Sequence, residues 1–177
     1  QEASRLLSLI EDIIRLSQLD EGQNIPRETV DLGALATEAV DQLRDTADQS
    51  NVQINLSVEE CLLQGVPRLI HEIVYNLVGN AIKYNVDGGK VDVSVAKTRT
   101  GGILTVSDTG IGIPFEHQSR VFERFYRVDK SHSKQSGGTG LGLSIVKHAA
   151  VYSGASIALR SIPGKGTTIA VTFSAKP

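Results

Sequence analysis

Val91-Asp92-Val93-Ser94-Val95 alternates apolar and polar residues without a break, and Gly101-Gly102 turns the chain into a second run, Ile103-Leu104-Thr105-Val106-Ser107. A period of two sends successive side chains to opposite faces, so each run reads as a strand with one buried face. Val52-Gln53-Ile54-Asn55-Leu56-Ser57-Val58 alternates in the same way. Short strands are also expected at 28–32, 61–64, 156–161 and 167–173. Between them lie segments of helical period. Leu35, Ala36, Ala39, Val40 and Leu43 share one side of a helix over 33–49. Leu69, Ile70, Ile73, Val74, Leu77, Val78 and Ala81 do so over 67–85, and a further helix follows from about 140 to 153. Helices thus alternate with pairs of adjacent strands. That order predicts an α/β chain, a two-layer sandwich with a mixed sheet and its helices on one face, and not the regular alternation of a doubly wound fold.

A chain of 177 residues, 40% apolar and 21% charged, is enough for one ordinary domain with a short appended element. A net charge of -2 excludes a generally basic nucleic-acid binder. No run approaches the length of a membrane span, and no signal peptide is expected at the polar start. The single Cys61, beside Leu62 and Leu63, reads as a buried thiol in a reducing setting. The chain starts without Met and already in helical register, as a piece of a longer protein would. Leu6, Leu7, Ile10, Ile13, Ile14 and Leu16 mark a helix over 4–20. A polar stretch with Gly22 and Pro26 ends it, so it is expected to sit outside the main domain, either folded back on it or as half of a helical pair.

Four groups of residues point to chemistry. On the helix at 67–85, Asn76, Asn80 and Lys83 form one polar stripe, extended backward by Glu72. Amide oxygens suit a hard cation and a lysine suits a phosphate, although a solvated helix face gives the same pattern. Asp108 ends a strand and is followed by Gly110 and Gly112. A carboxylate there could accept from an exocyclic amine such as that of adenine, or simply cap a turn. Arg120, Arg124, Arg127, Lys130 and Lys134 surround Phe122 and Phe125, whose spacing suggests a small apolar staple in a mobile segment, either an anion-facing lid or a merely solvated loop. Finally, Gly137-Gly138-Thr139-Gly140-Leu141-Gly142-Leu143 runs into a helix. Glycines let backbone N–H groups approach a phosphate, and the helix N-terminus adds its positive dipole end. No strand precedes these glycines and no Walker A pattern exists, so neither a dinucleotide fold nor a P-loop fits. No His/Cys metal site is indicated, and the four histidines are scattered.

Taken in order, these segments resemble the ATP-binding catalytic domain of bacterial two-component sensor histidine kinases, within the superfamily that also holds gyrase, Hsp90 and MutL. Asn76–Tyr84 resembles the family's asparagine box, Asp108–Gly112 its first glycine box, Phe122–Arg127 its phenylalanine box and Gly138–Leu143 its second glycine box. Gly164-Lys165-Gly166-Thr167-Thr168 is similar to its final Gly-Thr element. The resemblance implies a Bergerat-type fold over 28–177, a linker at 23–27, and at 1–22 the C-terminal helix of the dimerisation and phosphoacceptor hairpin. It implies ATP and Mg²⁺ as ligands. Asn80 would hold the metal, with Asn76 close by, Lys83 at a phosphate and Tyr84 beside the nucleoside. Asp108 would read adenine, with Gly110, Gly112 and Ile113 shaping the pocket. Arg127 and Lys130 would approach the γ-phosphate. Gly138, Thr139, Gly140, Leu141, Gly142 and Leu143 would line the phosphates, and Thr168 the water around the base.

The same resemblance implies phosphoryl transfer to a histidine, then to a response-regulator aspartate, in a homodimeric, membrane-anchored bacterial protein whose catalytic domain is cytoplasmic. The family's phosphoacceptor motif is missing, since His71-Glu72 lies one turn before the asparagine box. The chain is therefore expected to bind ATP without phosphorylating itself. An ATP-driven conformational switch of the chaperone or topoisomerase type is the alternative, with Glu72 in the place of its catalytic acid; a nucleotide sensor without catalysis is a third.

Overall fold

The computed structural model describes residues 25–128 and 140–174, together with Ile10. The expected helix at 4–20 and the calls on Lys130, Lys134, Gly137, Gly138 and Thr139 lie outside the described residues.

The chain opens with β1 (Glu28–Asp31), α1 (Leu32–Gln49), β2 (Gln53–Val58), β3 (Leu62–Gly65) and α2 (Pro67–Lys83). It continues with β4 (Lys90–Thr98), β5 (Gly101–Asp108) and the short α3 (Phe115–Gln118). It closes with α4 (Gly142–Tyr152), β6 (Ser156–Ile162) and β7 (Gly166–Ser174). Five strands form a mixed sheet in the order β2-β4-β5-β7-β6. β2 runs parallel to β4, and the other neighbours are antiparallel. The two-layer α/β expectation holds. One detail was not foreseen: β1 and β3 leave the main sheet and pair with each other, Val30 opposite Leu63.

Local chemistry sets the boundaries. Asp31 ends β1, and its Oδ1 accepts from the N–H of Gly33 at 3.0 Å, capping α1. The same oxygen accepts from Cys61 N–H at 2.9 Å, tying β3 to that cap. Pro67 occupies the first turn of α2, where its missing N–H costs nothing. Lys90 pairs with Gln53 and Thr98 with Gly101, so β4 and β5 run longer than the five-residue alternations suggest.

Strand alternation delivers Val91, Val93, Val95, Leu104, Val106, Ile169, Val171 and Phe173 to one face of the sheet, where all are buried. α1, α2 and α4 cover that face, with α2 packed against both of the others. Ile70, Ile73, Val74 and Val78 of α2 are fully buried. Burial of each such side chain is worth about 1.5–3 kcal/mol. Cys61 is also buried, and desolvation raises its thiol pKa, as expected for a structural cysteine. Among the described residues no helix is long and apolar enough to cross a membrane.

Candidate nucleotide site

α2 is the floor of the site. Its buried stripe faces the sheet, which turns Asn76 and Asn80 to the side where α4 begins. A Cβ built on Gly142 would lie 3.1 Å from Asn76 Oδ1, and 3.5 and 3.8 Å from Asn80 Nδ2 and Oδ1. The first residue of α4 is thus seated against both asparagines. Asn76 is oriented by its own Nδ2, which donates to the Glu72 carbonyl at 2.8 Å, so its Oδ1 stays turned toward Gly142. No side chain caps α4 at Leu141. The first turn therefore presents backbone N–H groups and a positive dipole end beside two amide oxygens. Leu141 and Ile145 are buried together behind that turn, and Ser144 Oγ donates to the Leu141 carbonyl at 2.7 Å. Leu143 packs against the main core.

The C-terminal end of α2, one turn beyond Asn80, meets the loop after β5. The Tyr84 carbonyl accepts from Ile111 N–H at 3.0 Å, and a Cβ on Gly110 would lie 2.3 Å from that oxygen. Only glycine fits there. At Gly112 the backbone φ is 69° and an added Cβ would meet the Ile162 carbonyl at 2.2 Å, so glycine is required twice over. Lys83 Nζ lies over the Tyr84 ring, 5.3 Å from its centroid. From Asn76 to Tyr84 the helix rises about 12 Å. The asparagines and the Asp108 loop are therefore set at successive turns of one rigid element.

Asp108 points inward from β5. Its Oδ1 accepts from Gly110 N–H at 2.8 Å and from Thr167 N–H at 3.2 Å. Burial pushes its carboxyl pKa up, and the two N–H donors pull it partly back. Strand parity matters at this point. Thr168 pairs with Ser107, and its Oγ1 lies 2.7 Å from Ser107 Oγ, on the sheet face away from the helices. Thr167 is the residue against Asp108. Thr168 was singled out because two adjacent threonines look alike until the register of β7 is known.

Two more residues were missed. Ser161 Oγ accepts from Ile113 N–H at 2.8 Å, and Gln118 Nε2 donates to the carbonyls of Ile113 and Ser161 at 2.9 and 3.0 Å. Neither carries a motif, and only the tertiary fold brings 113, 118 and 161 together.

The basic segment begins on the short α3. His117 Nδ1 lies 2.5 Å from Tyr126 Oη, and the Arg120 guanidinium lies 4.3 Å from the Tyr126 ring centroid. Arg120 also pairs with Glu123 at 3.1 Å. Arg124 Nη2 donates to His148 Nε2 at 3.0 Å, while His148 Nδ1 donates to the Ser144 carbonyl at 2.7 Å. Phe125 N–H donates to the Gly140 carbonyl at 3.0 Å, closing the neck of the excursion onto the residue before Leu141. A Cβ on Gly140, whose φ is 75°, would meet Arg127 Cγ at 3.3 Å. Arg124, Phe125, Tyr126 and Arg127 line a cavity of 480 Å³. The apolar staple is a correction: residues 119–125 form turns and not a helix, Phe125 has a φ of 62°, and its side chain is 56% exposed.

A long floor helix, a half-buried carboxylate beside its C-terminal end, a second helix starting against the asparagines of its middle turns and a basic segment closing over the side define a nucleotide-binding domain of the two-layer type. The model of the histidine kinase-, DNA gyrase B- and HSP90-like ATPase family matches residues 65–177, and the chain belongs to that family. Within it the chain is a sensor histidine kinase catalytic domain. It is 40% identical over 180 residues to the sensor-like histidine kinase SenX3 of Mycolicibacterium smegmatis, matching 99% of this chain and 46% of that protein. It is 36% identical over 179 residues to the phosphate regulon sensor protein PhoR of Pseudomonas aeruginosa, matching 98% of this chain and 40% of that protein. The chain thus spans less than half the length of these curated relatives. The mycobacterial sensor histidine kinase MprB has the same fold, with a TM-score of 0.73 at 27% identity over 85% of this chain and 99% of that one.

Proposed function

We propose that residues 28–177 bind ATP and donate its γ-phosphoryl group to a histidine carried by a helical hairpin of the same or a partner protomer, with relay to a response-regulator aspartate. The observation that carries this reading is the seating of Gly142 against Asn76 and Asn80, with the loop that follows Asp108 held at the C-terminal end of the same helix through the Tyr84 carbonyl. In that arrangement Asp108 accepts from the adenine amino group, Tyr84 flanks the nucleoside, and Gly110, Gly112 and Ile113 shape the base pocket. The N–H groups of Gly140, Leu141, Gly142 and Leu143 receive the phosphates, with Gly138 and Thr139 assigned to the same loop from the resemblance. Thr167 takes over the role first given to Thr168.

The donor set suits Mg²⁺. Among the described residues no group of three His, Cys, Asp or Glu could hold a metal, so a cation would rely on amide oxygens, phosphates and water, as Mg²⁺ does. Asn80 Oδ1 would hold it, with Asn76 beside it, and the ion would supply charge neutralisation on the phosphates. Lys83, Arg127 and Lys130 would spread the remaining charge of the transferred group. In the transfer the bond from the γ-phosphorus to the bridging oxygen breaks, a phosphorus–nitrogen bond forms, and ADP leaves. The base for the histidine proton lies outside this chain. Residues 1–22 are assigned to the second hairpin helix and 23–27 to a linker, in a homodimeric protein anchored in a bacterial membrane.

The ATP-driven switch has one observation in its favour: Glu72 is buried a turn before Asn76. Its Oε1 lies 3.5 Å from Arg68 Nε. Incubating the chain with labelled ATP, Mg²⁺ and a separate hairpin bearing the acceptor histidine decides the matter. Label on the hairpin supports the kinase, whereas free phosphate released without the hairpin supports the switch.

A further inference from the structure

The base end of the site is held from behind by groups that no motif contains. Gln118 sits at the end of α3 and its single amide nitrogen donates to two carbonyls on two different elements, Ile113 in the loop after β5 and Ser161 in β6. Both protons of the amide are used. Ser161 in turn is saturated. Its Oγ accepts from Ile113 N–H at 2.8 Å and lies 2.8 Å from Thr167 Oγ1 and 3.1 Å from the Gly166 carbonyl. All three are satisfied if the Ser161 hydroxyl donates to the Gly166 carbonyl and accepts from both the Ile113 N–H and the Thr167 hydroxyl. Thr167 N–H is one of the two donors that hold Asp108. A continuous set of hydrogen bonds therefore runs from Gln118 through Ile113 and Ser161 to Thr167 and Asp108.

We propose that Gln118 and Ser161 are positioning residues for recognition of the nucleotide base: they fix the loop at 110–113 and the start of β7 on either side of Asp108. The proposal rests on the nucleotide reading above and adds to it the groups that set base selectivity. Neither residue bonds to Asn76, Asn80 or the first turn of α4, where the phosphates are assigned. Loss of either should loosen the base pocket and leave phosphate binding intact. A leucine at 118 has nearly the same volume but no donor, and an alanine at 161 removes the hydroxyl from a strand that keeps its backbone ladder with β7.

The test is calorimetry with ADP, GDP and tripolyphosphate, in Mg²⁺, on the native chain, Gln118→Leu, Ser161→Ala and the double variant. Each single variant should bind ADP about tenfold more weakly, the scale of one or two lost hydrogen bonds. The preference for ADP over GDP should shrink by a similar factor, with tripolyphosphate affinity unchanged. The double variant should lose less than the product of the single losses, because both changes cut one network. Equal weakening of ADP and tripolyphosphate, or an unchanged ADP preference in both single variants, overturns the proposal. If Gln118→Leu does not fold, Ser161→Ala alone carries the comparison. A native chain that binds no adenine nucleotide overturns the nucleotide reading itself, and the positioning role with it.

Discussion

Asp108 is kept ionisable at a cost. Burial raises its pKa above the ordinary 3.8, so the charged carboxylate destabilises the fold at neutral pH. Below 3.8 the group is protonated in folded and unfolded chains alike, and the penalty is absent. It grows as pH rises through the native pKa and is complete above it. Asp108→Asn keeps an oxygen for the N–H groups of Gly110 and Thr167 while removing the charge. The variant should unfold at a higher temperature than the native chain at pH 7, with the gain fading as pH falls toward 3.8. It should also lose most of its affinity for ATP. A lower melting temperature at pH 7 would contradict this account of the carboxylate. Gly142 is the first residue of α4, and an added methyl would crowd Asn76 Oδ1 at 3.1 Å. Gly142→Ala should therefore bind ATP roughly tenfold more weakly. Retained affinity in calorimetry would show that the asparagines can yield without loss.

Among the elements, α2 does two jobs with two faces. One carries Ile70, Ile73, Val74 and Val78 into the core, and the other sets Asn76 and Asn80 against α4. Ile73→Ala should cost about 2–5 kcal/mol. Urea unfolding would show this as a lower midpoint with unchanged slope; a changed slope would mean the variant had lost cooperativity. This double use is why α2 was readable in sequence: a 3.6 period of apolar residues and a polar stripe of i, i+4 and i+7 coexist only on a two-sided helix. The strands were readable too, because one buried face imposes strict alternation. What alternation does not reveal is pairing. β1 and β3 look like any short strands, and nothing local says that they leave the main sheet. Register hid Thr167 behind Thr168, and the turn geometry at Phe125 defeated a spacing argument that presumed a helix. Gln118 and Ser161 were invisible for a simpler reason: their partners lie on other elements, reached only through the fold.

Across the whole molecule, binding and stability are linked. A nucleotide that binds only the folded chain should raise its stability by about 2.7 kcal/mol at a hundred times its dissociation constant. ADP with Mg²⁺ should raise the melting temperature accordingly, and chelating the metal with EDTA should remove most of the shift. An equal shift with and without EDTA would take Asn80 out of the metal-holding role. Guanine nucleotides at the same concentration should shift the midpoint less, since Asp108 offers an acceptor where guanine presents no amino group in the matching position.

The order of the sheet carries a consequence for how the protein is made. β7 follows β6 in sequence, yet it lies between β5 and β6. A chain emerging from the ribosome can pair β4 with β5 early, but the far side of β5 waits for residues 166–174. Until then that edge is open, Asp108 lacks its Thr167 donor, and Gly166 has not closed against the Asp108 backbone. Competence to bind nucleotide thus arrives only once residues 166–174 have been made and have taken their place between β5 and β6. A nascent chain, or one cut before Gly166, is a candidate for chaperones and proteases and not a weak version of the finished domain.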